Sequence, residues 1–350
     1  MAGIIVRKFI RPFAVGMNLD NFSNAPMEDV KRFQGRILCK YTELNLKTTL
    51  TGGQSFRWKR LQTHTPEEIF IGVMRGCVWT LSQNATHLIY QVICNKSVLK
   101  GDFSHNALHW ERILRDYFRL DINLEVCYAA WKAAHDHFKQ TASYFCAVRV
   151  LNQELVENLI SFLCSQNNHI NRITNLVERI CADYGKKICG YKCGDYHAFP
   201  ELEELNVPEL EKKLRASKFG YRASYISKAV SMIIEKGGTA WLENLKQLSY
   251  KEAKVELMTI PGIGPKVADC ICLMSLGHLG AIPVDTHIYE VASLHYLPHL
   301  RKTKTITSKA YEEIGDVFRN IYGPFAGWAQ TVIFCAELKR FNNKKAGKKK

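Results

Sequence analysis

The hydrophobic positions in the first third of the chain follow a pattern typical of β-strands. Three segments between Arg36 and about Asn95 are rich in β-branched and aromatic residues: ILCKYTELNL, FIGVMRGCVWTLSQ and HLIYQVIC. Turn signals separate them, such as Thr-Gly-Gly at 51–53 and Ser-Gln-Asn at 82–84. Short strands divided by such turns usually pair with their neighbours along the chain. This part of the chain is therefore predicted to form a mostly antiparallel sheet.

From about Leu108 the hydrophobic period changes to that of a helix. The apolar groups of ALHWERILRDYFRL recur at helical spacing, and residues 150–340 are almost wholly helical in pattern, with short loops. Gly220 and the glycine pair at 237–238 stand where glycines end helices. The predicted fold class is α+β, with a β-rich domain followed by an α-helical one. The predicted divisions are a flexible leader at 1–30, the antiparallel β-rich domain with its helices at 31–145, the α-helical domain at 146–340 and a basic disordered tail at 341–350.

The charge balance narrows the class of partner. The 350 residues include 48 Lys and Arg against 33 Asp and Glu, which gives a formal net charge of +15. This excess favours a polyanion, with nucleic acid ahead of an anionic membrane surface, unless much of it lies in a solvated tail without a specific partner. Seven of the last twelve residues are Lys or Arg, as in nuclear-targeting and nucleic-acid-binding tails.

The same features bear on where the protein works. No apolar run reaches the ~18 residues that a transmembrane helix needs, so we expect no membrane partner. The basic tail predicts the nucleus. The mitochondrion is the alternative, because basic residues and no acid precede Asp20.

The cysteines indicate a reducing compartment. Twelve are spread along the chain, several of them in apolar helical runs, and this usage excludes a secreted disulfide scaffold. Cys181, Cys189, Cys193 and His197 are close enough in sequence to be considered as metal ligands. Their spacing, C-x7-C-x3-C-x3-H, matches none of the common zinc patterns, and we expect no metal site.

The segment LMTIPGIGPKVADCICLM predicts a helix–hairpin–helix within 250–276. Gly262 and Gly264 allow a tight turn with positive φ, and Pro265 suits the first turn of the second helix, where a missing N–H costs nothing. Lys266 then lies in that first turn. The helix dipole and burial both disfavour an ammonium group there, so we expect them to lower the pKa of Lys266. A neutral lysine is a nucleophile and forms Schiff bases. Cys270 lies one turn further along on the same face.

Lys266 and Asp285 each have a simpler explanation as well. Lys266 could be a surface lysine that packs its stem beside a phosphate contact, and hairpin N–H groups bind phosphate without any chemistry. Asp285, in GAIPVDTHIYEVA, could be the N-cap of the helix that follows it. The functional alternative is a carboxylate that faces the lysine across the hairpin. The cap and the functional carboxylate are compatible.

Six segments together carry a resemblance to one family. They are TGGQSFRW at 51–58, SFLCSQNNHINRI at 161–173, GYRASY at 220–225, KVADCICLMSL at 266–276, PVDTHI at 283–288 and YGPFAGWAQTVIF at 322–334. Residues 257–292 resemble the helix–hairpin–helix Gly/Pro/Asp superfamily of base-excision glycosylases. With the other segments, the chain looks like a eukaryotic 8-oxoguanine DNA glycosylase over about residues 35–340. The resemblance implies an N-terminal sheet of the TATA-box-binding-protein type followed by an α-helical glycosylase domain.

The resemblance implies a bifunctional DNA glycosylase and AP lyase for 8-oxoguanine, and for formamidopyrimidine, paired with cytosine. Such an enzyme flips the damaged base out of the duplex into a pocket. Lys266 matches the catalytic lysine, which attacks the deoxyribose C1′ and leaves a Schiff base before β-elimination nicks the strand. Asp285 matches the essential carboxylate. Glycosidic cleavage develops oxocarbenium-like charge, which a buried carboxylate stabilises.

Four further positions match the family's base-binding residues. Gly53 matches the glycine whose carbonyl accepts the N7–H of 8-oxoguanine, a proton that guanine lacks. Phe334 and Cys270 match the residues that sandwich the flipped base, and Gln330 matches the reader of its Watson–Crick edge. Without the resemblance, a hairpin turn would explain Gly53, and core packing would explain Phe334 and Cys270.

The resemblance also implies a set of DNA-binding residues. Asn167 matches the group that fills the space left by the flipped base. Tyr221 and Arg222 match the wedge and the reader of the orphaned cytosine, with Arg215 assisting them, although a polar loop tip would explain these residues as well. The remaining implied DNA-binding positions are Arg172, Gly262, Gly264 and His287, the last a phosphate contact that could otherwise be a capping or solvated histidine.

The chain departs from its relatives at a few positions. Only Cys335 lies beyond Cys272, so the four-cysteine iron–sulfur cluster of several relatives cannot form, which argues against the endonuclease III and adenine glycosylase branches. Glu337 stands where the shorter Asp is expected, and His169 replaces a third Asn. No cofactor is implied, although hairpin carbonyls of such domains can hold a cation against phosphate.

Two other functions compete with this one. A monofunctional alkyl-base glycosylase of the same fold would use Asp285 and water, and it would not need Lys266. A non-catalytic helix–hairpin–helix DNA-binding protein would need neither Asp285 nor a pocket. The expected partner of the leading function is double-stranded DNA that contains oxidised guanine, bound by a monomer.

Overall fold

A computed structural model describes residues 30–62, 66–98, 107–191, 194–302 and 305–347. The predictions for the leader before residue 30 and for the last three residues lie outside these ranges. Within them, the predicted α+β architecture is confirmed. An antiparallel sheet comes first, and a large group of helices follows it.

The N-terminal sheet has five strands: β1 (Val30–Leu38), β2 (Lys59–Arg60), β3 (Phe70–Met74), β4 (Cys77–Gln83) and β5 (His87–Asn95). Their spatial order is β1-β5-β4-β3-β2, and every neighbouring pair is antiparallel. The segment ILCKYTELNL, predicted as a strand, is only partly one. The strand ends at Leu38, and α1 (Leu46–Thr51) follows because the side chain of Asn45 caps it by accepting from the Thr48 amide at 3.0 Å.

Both faces of the sheet are covered, which explains why β4 is buried at nearly every position. Trp79 packs on one face with Trp110 of α2 (Ala107–Tyr117), and Val78, its neighbour in sequence, packs on the other. The second face is closed by a two-stranded hairpin, β6 (Lys187–Tyr191) and β7 (Gly194–His197). The sequence pattern missed this hairpin inside a segment predicted as helical, because strands of four or five residues do not establish a period.

Two helices in the predicted N-terminal domain belong to the core of the helical part. They are α3 (Leu124–Ala134) and α4 (Asp136–Tyr144), whose buried side chains, such as Trp131 and Phe138, join the large helical core. Trp328 donates from its indole N–H to the Val148 carbonyl at 2.8 Å and ties this region to the last helix. Among the described residues, no helix is both long enough and apolar enough to cross a membrane.

The remaining helices form one bundle around that core. They are α5 (Leu155–Ser165), α6 (Ile170–Tyr184), α7 (Leu202–Leu205), α8 (Leu210–Ala216), α9 (Arg222–Glu235), α10 (Gly238–Asn244), α11 (Tyr250–Met258), α12 (Pro265–Met274), α13 (Thr286–His295), α14 (Ser308–Tyr322) and α15 (Ala326–Gly347). The pair α11–α12 is the predicted helix–hairpin–helix. The last helix continues to Gly347, into the segment predicted as a disordered tail.

Candidate active site

The hairpin between α11 and α12 depends on one glycine more than on the other. Gly262 has φ +87°, and a Cβ on it would lie 2.6 Å from the Tyr225 ring, so only glycine fits there. Gly264 has φ −92° and caps α12 in an extended conformation, with nothing near its Cβ position. The prediction of positive φ is therefore confirmed for Gly262 and wrong for Gly264. Pro265 occupies the first turn of α12, as predicted.

Lys266 follows in the first turn of α12 and is half-buried. Its ammonium nitrogen lies 4.9 Å from the centre of the Phe162 ring, a cation–π contact with α5. One turn further along, the Cys270 thiol lies beside it, as the helical spacing predicted. Burial raises the pKa of Cys270 to about 11, although the neighbouring Lys266 acts to lower it, so the group is a neutral thiol at physiological pH.

Asp285 begins α13 as its N-cap. Its carboxylate accepts a hydrogen bond from the Ile288 amide at 2.9 Å, which gives the carboxylate a fixed orientation. The side chain is only partly buried and lines the same cleft as Lys266. The helix cap and the carboxylate that lines the cleft of Lys266 are therefore the same side chain.

The cleft between these two residues draws its walls from distant parts of the chain. The empty space among its walls is about 390 Å³, open solvent included. Its lining residues come from the loop after α1, from α5, α12 and α15, and from the segment before α13: Gly52, Gly53, Gln54, Phe162, Lys266, Cys270, Leu273, Met274, Pro283, Asp285, Gln330, Thr331 and Phe334. Among the described residues a larger cleft lies elsewhere, between β3 and α5, and it contains neither Lys266 nor Asp285.

Gly53 lies where the N-terminal part of the chain meets the cleft. It has φ +79°, and a Cβ on it would lie 3.5 Å from the Phe334 ring. The next residue, Gln54, pins the loop: its amide donates to the Arg149 carbonyl at 2.8 Å and accepts from the Leu151 amide at 2.9 Å. These two hydrogen bonds therefore fix the position of the loop backbone beside Phe334.

Gln330 and Phe334 lie four residues apart on α15, and so on one face of that helix. Gln330 is 3% exposed, whereas Phe334 is half-buried and its ring lies 6.3 Å from that of His287 at an interplanar angle of 68°. Both line the cleft, one with an amide and the other with an aromatic surface. An amide and a ring at one wall suit a flat heterocycle with polar edges.

A second group of predicted residues surrounds the turn between α5 and α6. Asn167 occupies its tip, exposed and with φ +45°. Arg222 is 3% exposed, and its guanidinium donates to the carbonyls of Gln166 and Asn167. In this structure Arg222 shapes the tip that presents Asn167. Tyr221 is 46% exposed, and its ring stacks against that guanidinium, which lies 4.6 Å from the ring centre.

Gln166 also belongs to this group, although no sequence pattern predicted it. Its side-chain amide donates to the Gly262 carbonyl at 2.6 Å, and its own carbonyl accepts from the Tyr221 hydroxyl at 3.1 Å. A polar residue at the end of a buried helix, just before an Asn-Asn turn, is the signal that could have found it. The residue connects the tip of Asn167 to the hairpin.

The other two predicted arginines lie on exposed helix faces. Arg215 pairs with Glu211 one turn earlier on α8 at 2.7 Å, and Arg172 lies in the first turn of α6, where its amide donates to the His169 ring at 3.3 Å. His169 thus caps α6 in place of the expected Asn. Among the described residues no three His, Cys, Asp or Glu side chains are grouped to hold a metal. Cys193, one of the four residues considered from the sequence as metal ligands, lies outside the described residues.

Comparisons with known proteins agree with this geometry. Residues 36–159 match the family model for the N-terminal domain of 8-oxoguanine DNA glycosylase, and residues 160–316 match the model for HhH-GPD superfamily base excision DNA repair proteins. The N-glycosylase/DNA lyase OGG1 of Arabidopsis thaliana is 36% identical over 302 residues, which cover 85% of this chain and 78% of that protein. The N-glycosylase/DNA lyase of Saccharomyces cerevisiae is 32% identical over 331 residues, with coverage of 87% and 86%.

Solved structures show the same fold. The 8-oxoguanine glycosylase/lyase of Clostridium acetobutylicum, in complex with double-stranded DNA containing cytosine opposite 8-oxoguanine, has a TM-score of 0.73 at 25% identity and covers 92% of this chain and 99% of its own. MBOgg1 in complex with a low-affinity DNA ligand has a TM-score of 0.73 at 27% identity, with coverage of 89% and 99%.

Proposed function

This chain belongs to the 8-oxoguanine DNA glycosylase family of the HhH-GPD superfamily, and from that premise we propose that it is a bifunctional DNA glycosylase and AP lyase. Its substrate is 8-oxoguanine, and also formamidopyrimidine, paired with cytosine in double-stranded DNA. The names of its relatives and the DNA complex of its structural neighbour support this assignment. The observation in the chain itself that carries it is the cleft that Lys266 and Asp285 both line.

Lys266 is the nucleophile in this proposal. Its neutral amine attacks C1′ of the damaged nucleotide, so that a C1′–N bond forms while the glycosidic bond breaks and the base departs with the bonding pair and then gains a proton. Opening of the sugar ring gives the Schiff base. Loss of a C2′ proton then expels the 3′ phosphate by β-elimination and nicks the strand. The Phe162 ring beside the amine excludes water from one side of it.

Asp285 stabilises the positive charge that develops on the sugar as the base leaves. The hydrogen bond from the Ile288 amide sets the carboxylate before the substrate arrives, so no reorganisation is needed at the moment of reaction. A monofunctional enzyme would use this carboxylate with water alone. The half-buried Lys266 in the same cleft favours the bifunctional alternative.

Recognition of the base follows from the walls of the cleft. The Gly53 carbonyl accepts N7–H of 8-oxoguanine, whereas guanine presents a lone pair there. An unmatched buried polar contact costs about 1–3 kcal/mol, which is enough to discriminate on one proton. Gln330 reads the Watson–Crick edge, and the base stacks between Phe334 and Cys270.

The duplex is held outside the cleft. Asn167, Tyr221 and Arg222 form the tip that enters the DNA duplex. Arg172 and Arg215 lie on the flanking helix faces, and His287 lies toward the phosphate. The hairpin N–H groups of the segment 262–264 bind the backbone. We further propose that the enzyme acts as a monomer. We also propose that it works in the nucleus, because seven of residues 339–350 are Lys or Arg and the net charge is +15.

Borohydride trapping tests the proposal. The protein is incubated with duplexes that carry 8-oxoguanine opposite each of the four bases, and reduction converts a Schiff base into a stable protein–DNA adduct. We expect an adduct with the cytosine duplex, its loss in Lys266→Gln, and weaker adducts with the other three duplexes. The absence of an adduct with wild type, or a full adduct with Lys266→Gln, would overturn the mechanism.

A further inference from the structure

Helix α12 carries a second ionisable side chain that the proposed mechanism does not use. Asp269 lies three residues after Lys266 and is fully buried, with 0% exposure. Its carboxylate accepts from the Tyr250 hydroxyl at 2.7 Å, from the Lys254 ammonium at 2.9 Å and from the Tyr311 hydroxyl at 2.5 Å. A buried carboxylate is costly unless it is paired and hydrogen-bonded, and these three donors meet that requirement.

Tyr311 extends this cluster to the segment that carries Asp285. Its hydroxyl, on α14, accepts from the Val284 amide at 3.3 Å while it donates to Asp269, and it lies 3.3 Å from the Ile282 carbonyl. Val284 is the residue directly before Asp285. The hydroxyl of Tyr311 is therefore a bridge of two hydrogen bonds between the helix of the nucleophile and the backbone of the carboxylate.

The protonation states and charges in this cluster stabilise the bridge through Tyr311. Burial beside Asp269 raises the pKa of Tyr311 and of Tyr250, so both hydroxyls stay protonated and can donate. Lys254 supplies the positive charge, and its ammonium also lies 4.8 Å from the centre of the Tyr311 ring. A fully satisfied buried network is rigid, because each lost bond would leave a buried polar group unpaired.

We propose that Asp269 and Tyr311 are positioning residues that set the geometry of Lys266 relative to Asp285 for base excision. The inference rests on the proposed glycosylase and lyase function. Catalysis that needs two groups on one sugar is sensitive to their spacing, and a displacement of about 1 Å costs about 100-fold in rate. Neither residue lines the cleft. Asp269 acts through α12, the helix that also carries Lys266, and Tyr311 acts through its hydrogen bond to the amide of Val284, the residue before Asp285.

The test uses single hydroxyl deletions. Tyr311→Phe removes the bridge and keeps the ring. Tyr250→Phe removes one donor to the same carboxylate but leaves the link to Val284 intact. Tyr322→Phe is the matched control, because it deletes a buried hydroxyl from the same helix, one that bonds to the Tyr296 hydroxyl at 2.7 Å.

Three quantities are measured for each variant: the melting temperature, the Kd for a duplex with 8-oxoguanine opposite cytosine, and the single-turnover rate of base excision at saturating enzyme. We expect Tyr311→Phe to slow excision at least about 10-fold with Kd within about 2-fold of wild type. Tyr322→Phe is expected to stay within about 3-fold of wild type in excision rate, even if it melts at a lower temperature. Tyr250→Phe is expected to slow excision less than Tyr311→Phe does, because the link to Val284 stays intact.

A preformed abasic site separates positioning from loss of stability. No base has to leave that duplex, so borohydride trapping there needs Lys266 but not its alignment with Asp285, and Tyr311→Phe should trap within about 3-fold of wild type. An unchanged excision rate, or an equal loss of excision and abasic-site trapping, would overturn the inference. If wild type neither excises nor traps, the proposed function fails instead.

Discussion

The side-chain amide of Gln166 donates to the carbonyl of Gly262 at 2.6 Å, across 96 positions of sequence. The backbone carbonyl of Gln166 also accepts from Tyr221 and Arg222. One residue therefore joins the tip of Asn167, the loop of Tyr221 and the hairpin. These are the three segments that we expect to contact DNA.

Replacing Gln166 should loosen that surface without disturbing the cleft. Gln166→Ala removes one hydrogen bond, worth about 1 kcal/mol, and we expect Kd for duplex DNA to rise about 5-fold. Fluorescence anisotropy with damaged and undamaged duplexes measures this Kd. Gln83→Ala is the control, since Gln83 likewise holds backbone groups, those of Leu44 and Leu46, but within the sheet domain. Equal effects of the two changes would refute a role of Gln166 in DNA binding.

The two hairpin glycines should respond differently to alanine. Gly262→Ala places a side chain at φ +87° against Tyr225, and the left-handed conformation alone costs about 1–2 kcal/mol. We expect a loss of at least about 2 kcal/mol in unfolding free energy, together with weaker DNA binding. Gly264→Ala has open space around it and should lose less than about 1 kcal/mol, through a poorer cap. Urea denaturation of both variants provides the comparison, and a similar loss in both would contradict this account.

Two substitutions can distinguish the helix-capping role of Asp285 from the role of its negative charge. Asparagine caps a helix about as well as aspartate, so Asp285→Asn should keep its melting temperature and its DNA affinity. The asparagine side chain lacks the negative charge of the carboxylate, so we expect base release by this variant to slow by about 100-fold or more. Asp285→Ala should lose the same activity and, in addition, about 1 kcal/mol of stability. Single-turnover cleavage by Asp285→Asn at the wild-type rate would remove the carboxylate from the mechanism.

Stability should also depend on the protonation of Glu157. Burial raises the pKa of this carboxyl from 4.5 to about 8, although Arg57 acts to lower it. The folded chain therefore holds the proton more tightly than the unfolded chain. The contribution of Glu157 to the free energy of unfolding is therefore fully present below pH 4.5 and is lost as the pH rises through about 8.

The isosteric change Glu157→Gln should remove this dependence. Each pKa unit corresponds to about 1.4 kcal/mol, so between pH 5 and pH 8.5 we expect wild type to lose at least about 1 kcal/mol relative to the variant. Urea denaturation at the two pH values measures the difference. Parallel changes in the two proteins would show that Glu157 does not titrate in this range.

The sequence by itself determined the features that short stretches encode. A strand pattern with turns predicted the antiparallel sheet, helical spacing with glycine stops predicted most helices, and PGIGPK predicted the hairpin with Pro265 and Lys266 in one helical turn. Asp285 could be identified as a cap from its own neighbours. Each of these signals lies within about one or two turns of chain, where backbone conformation follows from the local residues.

Tertiary structure decided which of those features meet. The β6–β7 hairpin, the packing of α3 and α4 on the helical core and the burial of Arg222 all depend on surfaces supplied by distant segments. The same holds for the bridge from Asp269 through Tyr311 to Val284, whose members look like ordinary helix residues in the sequence. Such contacts arise because buried polar groups must find partners wherever packing brings the segments together, and a linear pattern does not contain that information.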